Sequence, residues 1–231
     1  MQPIGPKLAE GRDSEIYEHG PGKVLRIPRD RRSLEAEARI MEYVRSHGYP
    51  CPTVHDAGDG YLVMDRVDGP TMLDAGTRPP FRIPRYGRLL AELHNRLHEI
   101  PAPDWLPPAP IAGDRVLHCD LHPLNVLMTA DGPVVIDWAN TRAGAPSFDV
   151  ADTWVLFASA QPTDLHAWQR ALIGVGRKWF LKHFLAGVDV AAARGAIPTA
   201  VEARSRDRNM SPEEIDRMRE LAAWASNVPA P

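Results

Sequence analysis

The sequence predicts an α+β protein in two lobes, a small antiparallel sheet over residues 1–67 and a mainly helical region over 68–231. Three observations carry that expectation. Short β-type runs separated by glycine turns fill the first lobe, interrupted by one helical stretch. Apolar residues recur at helical spacing through much of the second. Between these patterns, Val116 to Trp138 reads as an apolar strand, a polar loop, a short apolar strand, a turn and a third apolar strand that ends in an aspartate.

Length and composition narrow the classes. A chain of 231 residues can bury a sizeable core. Its apolar and charged fractions are those of an ordinary soluble protein. The net charge of -3 offers none of the basic footprint that nucleic acid requires, so nucleic acid is excluded as the expected partner. No basic segment is followed by an apolar one at the N-terminus. No apolar run approaches the roughly 20 residues of a membrane span, so no membrane partner is expected. Cys51 and Cys119 form no disulfide framework. The expected location is cytoplasmic.

In the first lobe, Ile16-Tyr17 and Val24 to Ile27 are strand candidates around the turn His19-Gly20-Pro21-Gly22. Gly11 to Ser14, just ahead, reads as a surface turn. Val24 and Arg26 share a strand face, while Lys23 points to the other; an exposed strand arginine is the less favoured reading of Arg26. Residues 33–47 form a helix that Ser33 can cap and Gly48 can close, with Leu34, Ile40, Met41 and Val44 as its stripe. Glu35 and Glu37 fall in its first turns. Pro52 to His55 and Tyr61 to Met64 are strands joined through Gly58-Asp59-Gly60.

In the second lobe, residues 82–99 form an amphipathic helix carrying His94 and His98 on one face. That spacing can hold zinc, but the acid of a His-Glu-x-x-His motif is missing, so a packed histidine is the expectation. Five prolines between Pro101 and Gly113 make that run extended. Helices are expected over 149–159, 163–186 and 212–225, the last opened by the Ser211-Pro212-Glu213-Glu214 capping box. Trp154, Phe157, Trp168, Trp179 and Phe180 are read as core. Asp149 is either a structural brace or a first-turn acid favoured by the helix dipole.

The chemistry concentrates in His118-Cys119-Asp120-Leu121-His122-Pro123-Leu124-Asn125 and in Asp137. A carboxylate that orients a hydroxyl, followed by an amide oxygen and a second carboxylate able to hold a hard cation, is the kit of phosphoryl transfer. The spacing His-x-Asp-x-x-x-x-Asn matches the catalytic loop of kinases. The wording "HCDLHPLNVLM…VVIDW" resembles the aminoglycoside phosphotransferase and choline kinase group of small-molecule kinases. "EAEARIMEYVRSHGYPCP" and "LAELH" are similar to that group's helices.

The resemblance implies a bilobal protein-kinase-like fold that uses ATP and Mg2+ to phosphorylate a small hydroxylated acceptor: an aminoglycoside-like antibiotic, an amino alcohol or a sugar. It implies that Asp120 orients the acceptor, and that Asn125 and Asp137 bind the metal. Ser14, Val24, Arg26 and Glu37 line up with the nucleotide-binding positions, Arg26 standing where the family carries lysine and Glu37, or alternatively Glu35, as its partner. Asp65 and Val67 correspond to the main-chain contacts of the hinge. Residues 201–220 mix basic and acidic side chains, which disfavours a polycationic acceptor. The alternative is a non-catalytic nucleotide-binding protein with a regulatory role, motivated by Arg26 and by a loop with one glycine. A zinc site of His118, Cys119 and His122 is a third possibility.

Overall fold

The computed structural model describes residues 5–11, 13–77, 80–159, 167–206 and 210–227. The chain divides into two compact units, Met1–Thr71 with Asn125–Ala139, and Met72–Leu124 with Asn140–Pro231.

The first unit is built on a five-stranded antiparallel sheet. Its strands are β1 (Lys7–Glu10), β2 (Ser14–Glu18), β3 (Lys23–Pro28), β4 (Val54–Gly58) and β5 (Tyr61–Asp65), in the order β1-β2-β3-β5-β4. Gly20 and Gly22 both have positive φ, which lets the β2–β3 turn close. The strand expected from Pro52 begins at Val54, because a proline has no N–H to give a ladder. Helix α1 (Glu35–Ser46) starts two residues later than Ser33 suggested. Leu34 occupies the cap position, and Ser33 reaches the helix through the Glu35 N–H at 3.4 Å. Its Ile40, Met41 and Val44 are buried as expected, and so is Glu37.

Residues 125–139 complete this unit. Strands β6 (Arg115–Leu117) and β9 (Arg142–Gly144) belong to the second unit, whereas β7 (Val126–Thr129) and β8 (Gly132–Val135) form a hairpin in the first. The Val135 N–H donates to the Pro50 carbonyl at 2.8 Å, and the Met128 N–H to Pro70 at 2.9 Å. Gly69 lies so near β7 that a Cβ there would stand 2.3 Å from the Met128 oxygen, so only glycine fits. Trp138 is buried edge-on against Tyr49.

The second unit is mainly helical: α2 (Met72–Thr77), α3 (Ile83–His98), α4 (Pro146–Ser159), α5 (Ala167–Leu185), α6 (Val190–Arg204) and α7 (Pro212–Asn227). Helix α3 packs on α5, and α4 on α6 and α7. The proline-rich run is extended and stitched to β9: Ala109 donates to Ala143 at 2.7 Å, and Ala143 to Pro107 at 2.8 Å. The capping box at α7 is formed in both directions, at 3.2 and 3.0 Å.

Helix α6 was not expected. Gly195 and Pro198 interrupt its sequence, and its buried face is made of alanines with Ile197 and Val201 instead of a bold apolar stripe. Asp189 caps it through the Ala192 N–H at 3.0 Å. Trp154 and Phe180 are core as expected, and Phe157 stacks on Phe180, but Trp179 is 45% exposed. Residues 163–166 of the expected helix, and the Trp168 side chain, lie outside what is described. Among the described residues no helix is long and apolar enough to cross a membrane.

Candidate active site

Arg26 is the centre of a polar cluster in the first unit. It is buried, which sets aside the less favoured reading of an exposed strand arginine. Its Nε donates to Ser14 Oγ at 2.9 Å, Nη1 to Glu37 Oε1 at 2.5 Å and Nη2 to Asp137 Oδ1 at 3.1 Å. A forked guanidinium serves three acceptors in different directions, which a lysine ammonium does less well. Burial opposes the Arg26 charge, but Glu37 and Asp137 more than offset it. Burial pushes the Glu37 carboxyl up, Arg26 works against that, and Glu37 Oε2 is buried without a hydrogen-bond partner. Glu37, not Glu35, is thus the partner of Arg26. Its Oε1 also accepts the Trp138 N–H at 3.3 Å. Val24, two residues before Arg26, is buried.

The β7–β8 register brings Asn125 and Asp137 to one end of a hairpin. Val126 pairs with Val135, and the Ile136 N–H donates to the Asn125 carbonyl at 3.0 Å. Asn125 is buried, while the Asp137 side chain keeps 45% of its surface. Asp137 has φ +66°, a left-handed conformation that costs a non-glycine residue and is concentrated at functional positions. An amide oxygen and a partly exposed carboxylate at the same hairpin end are hard donors that fit Mg2+.

The remaining first-unit positions are less decisive. Ser14 is buried with its hydroxyl on Arg26, and its carbonyl accepts the Gly11 N–H at 2.9 Å. Arg12 in the same turn lies outside the described residues. The Asp65 N–H already donates to Thr53 at 2.9 Å, and its carboxylate holds His55 at 2.7 Å. Val67 lies just past β5 and is half-buried.

The second unit holds Asp120. Asp149, at the start of α4, braces its loop: the carboxylate accepts the His118 N–H at 3.1 Å, the Cys119 N–H at 2.7 Å and His98 Nε2 at 2.9 Å. Asp149 is therefore a buried brace and not a solvent-facing dipole acid. Burial would raise its carboxyl; the His98 hydrogen bond, with His94 and His118 beside it, outweighs that and holds it well below the usual range. Cys119, beside Asp120 in this loop, also has a left-handed φ, +59°, and burial pushes its thiol up. Thr153 ties the loop to α4 by donating to the Leu121 carbonyl at 2.9 Å.

The acid missing from the histidine pair is supplied by the fold. His94, His98 and Asp149 lie together, whereas His118, Cys119 and His122 form no such group among the described residues. His98 and two backbone amides already serve the Asp149 oxygens, so the cluster is a hydrogen-bond brace. His94 is fully buried; Nε2 faces Thr153 Oγ1 at 3.3 Å, and Nδ1 has no hydrogen-bond partner.

Asp120 itself is held by one residue that sequence reasoning missed. Arg204, the last residue of α6, donates Nη2 to Asp120 Oδ1 at 3.0 Å. The other oxygen, Oδ2, lies 3.6 Å from His122 Nε2. His122 Nδ1 accepts the Leu124 N–H at 3.3 Å, so a neutral ring carries its proton on Nε2, toward Asp120. Burial alone would raise the Asp120 carboxyl; His122 and Arg204 outweigh it and hold it at about 2. The sequence carried Arg204 only as one sign in a mixed run, and its place on an unrecognised helix hid it.

The sheet of the first unit and the helices of the second, with this loop and hairpin, define a protein-kinase-like fold. The chain belongs to the phosphotransferase enzyme family, whose model matches residues 6–115 and 104–188. Among solved structures, the gentamicin complex of the aminoglycoside phosphotransferase APH(2")-IIa is similar at TM-score 0.60 and 13% identity, over 99% of this chain and 92% of that one. A choline/ethanolamine kinase family protein from Mesorhizobium loti is similar at TM-score 0.57 and 16% identity, over 98% and 89%. At such identities the likeness speaks to the fold. A probable bifunctional tRNA threonylcarbamoyladenosine biosynthesis protein of Methanosarcina barkeri is 28% identical over 81% of this chain, which spans only 34% of that relative.

Proposed function

We propose that the protein transfers the γ-phosphate of ATP to a hydroxyl of a small molecule, such as an amino alcohol, a sugar or an aminoglycoside-like antibiotic. The observation that carries this reading is the link from Arg26 to both Glu37 and Asp137, which joins the buried strand cation, the buried helix acid and the partly exposed metal-type aspartate in one network.

Asp120 takes the acceptor hydroxyl as a hydrogen-bond donor. The acceptor oxygen forms its bond to the γ-phosphorus while the bond from that phosphorus to the bridging oxygen breaks, and ADP leaves with the electron pair. The hydroxyl proton passes to Asp120. A carboxylate held at about 2 is a weak base, so the proton moves late, once bonding to phosphorus has made the oxygen acidic. Asn125 and Asp137 would hold Mg2+, which would supply positive charge at the phosphates when bound. Arg26 holds Asp137 in place, while Ser14, Val24 and the main chain at Asp65 and Val67 are assigned to the nucleotide.

Incubation with MgATP and a panel of hydroxylated antibiotics, amino alcohols and sugars tests this, with ADP release as the readout. Acceptor-dependent release that disappears in Asp120→Ala is expected. Tight ATP binding with no turnover for any acceptor, unaffected by Asp120→Ala, supports the regulatory nucleotide-binding protein instead.

A further inference from the structure

Within the second unit, Asp120 is one end of a three-residue bridge. Arg204 Nε lies 2.6 Å from Asp152 Oδ1, and Nη2 lies 2.7 Å from Asp152 Oδ2 and 3.0 Å from Asp120 Oδ1. Arg204 therefore grips Asp152 with a two-point fork and spends its remaining geometry on one oxygen of Asp120. The Arg204 side chain is 11% exposed, that of Asp152 5% and that of Asp120 23%.

We propose that Arg204, anchored by Asp152, is a positioning residue that fixes the rotation of the Asp120 carboxylate, turning Oδ1 inward and presenting Oδ2, on the His122 side, to the acceptor hydroxyl. The proposal rests on the assignment of Asp120 as the group that takes the acceptor proton.

The chemistry needs such a device. A carboxylate on a loop can rotate about its terminal torsion, which is broad and roughly two-fold. Productive transfer requires the reacting oxygen in one place, and small displacements are costly. An arginine reaching Asp120 alone would swing with it. Asp152 removes that freedom, because α4 carries it and the fork has one orientation. The same arrangement sets charge. Without the guanidinium, the half-buried Asp120 and the buried Asp152 would stand as two carboxylates that raise each other's proton affinity. Burial already pushes Asp152 up to about 6 against the pull of Arg204, with Asp149 and Asp120 adding to the push. Among the described residues, Arg204 from α6, His122 from its own loop and Asp152 from α4 bear on the charge of Asp120. Helix α6 carries Arg204 from the C-terminal helices back to the loop of Asp120.

The test compares wild type with Arg204→Met, Arg204→Lys, Asp152→Asn and Asp120→Asn. ADP release from MgATP is followed with water alone and with a panel of amino alcohols and sugars, and the Asp120 carboxyl is titrated by carbon NMR, assigned through Asp120→Asn. In Arg204→Met, kcat falls roughly ten- to a hundredfold while KM for MgATP stays nearly constant. The Asp120 midpoint rises by about one unit or more as the cation is lost. Arg204→Lys recovers part of the midpoint but little of kcat, since an ammonium restores charge without the fork. If Arg204→Met does not fold, Asp152→Asn replaces it, because loosening the anchor must also lower kcat. Turnover lost in Asp120→Asn but kept in Arg204→Met and Asp152→Asn, with the midpoint unmoved, overturns the positioning role and leaves the base assignment standing. Turnover kept in Asp120→Asn, or absent from the wild type with every acceptor, overturns the base assignment and the proposal with it.

Discussion

Arg26 on β3 and Glu37 on α1 form a buried ion pair at 2.5 Å, with Ser14 and Asp137 completing the arginine's partners. Breaking a buried pair from one side is far more damaging than its net worth suggests, because it strands the other charge. Glu37→Ala is therefore expected to cost about 3 kcal/mol, near the low end for such losses because Asp137 remains. Arg26→Lys should lower turnover as well as stability, since one ammonium cannot span three acceptors. Urea denaturation and ADP release measure the two effects. A faster Arg26→Lys enzyme would show that arginine is an impairment and not an adaptation.

Asp120→Asn keeps the shape of the side chain and a carbonyl for Arg204 but cannot take a proton. Turnover is expected to drop by roughly a hundred- to ten-thousandfold, the usual share of a general base. Equilibrium binding of MgATP should barely change. Because His122 and Arg204 hold Asp120 at about 2, the wild-type kcat profile should show no acid limb in the ordinary carboxylate range near about 4. A limb there that vanishes in Asp120→Asn would contradict the electrostatics described.

Magnesium dependence probes the hairpin end. Excess chelator should abolish ADP release, and added Mg2+ should restore it. Asn125→Ala and Asp137→Asn should each raise the Mg2+ concentration for half-maximal rate by roughly tenfold or more, the scale on which disturbing a metal's shell acts. Unchanged magnesium titrations in both variants would remove these residues from the metal.

Acid stability isolates His94. Burial lowers its proton affinity from 6.5 to about 4. Between those values the unfolded chain binds the extra proton, so stability present above 6.5 is lost as pH falls, by up to roughly 3 kcal/mol. Asp152 acts oppositely: with its carboxyl pushed up to about 6, the native state takes the proton first and gains stability as pH falls below that value. Denaturation midpoints measured from neutral pH down to 4 should flatten in His94→Gln and steepen in Asp152→Asn. Identical slopes in both variants would refute the assignment.

Much of this was legible in the residues, for identifiable reasons. The β2–β3 and β4–β5 turns were marked by glycines at positions that proved to need positive φ, Gly20, Gly22 and Gly60. The α7 capping box is a local hydrogen-bond pattern and formed as written. Glu37 could be chosen over Glu35 only through family resemblance, since periodicity gives a first-turn acid no reason to be buried. What sequence could not show were long-range meetings. Asp149 joins His98 across 51 residues, and Arg204 joins Asp120 across 84. Helix α6 stayed hidden because alanine packing leaves no amphipathic stripe and Pro198 reads as a breaker.

The insertion of residues 125–139 into the first unit bears on how the chain emerges from the ribosome. Arg26 is synthesised early, yet its Asp137 partner arrives 111 residues later, followed at once by the Trp138 that packs edge-on against Tyr49. Until then the nascent sheet carries an arginine with an incomplete set of counter-charges. The N-terminal segment is thus poorly suited to fold on its own during translation. A fragment ending near residue 71 should aggregate or stay open, whereas adding residues 125–139 in trans should rescue it.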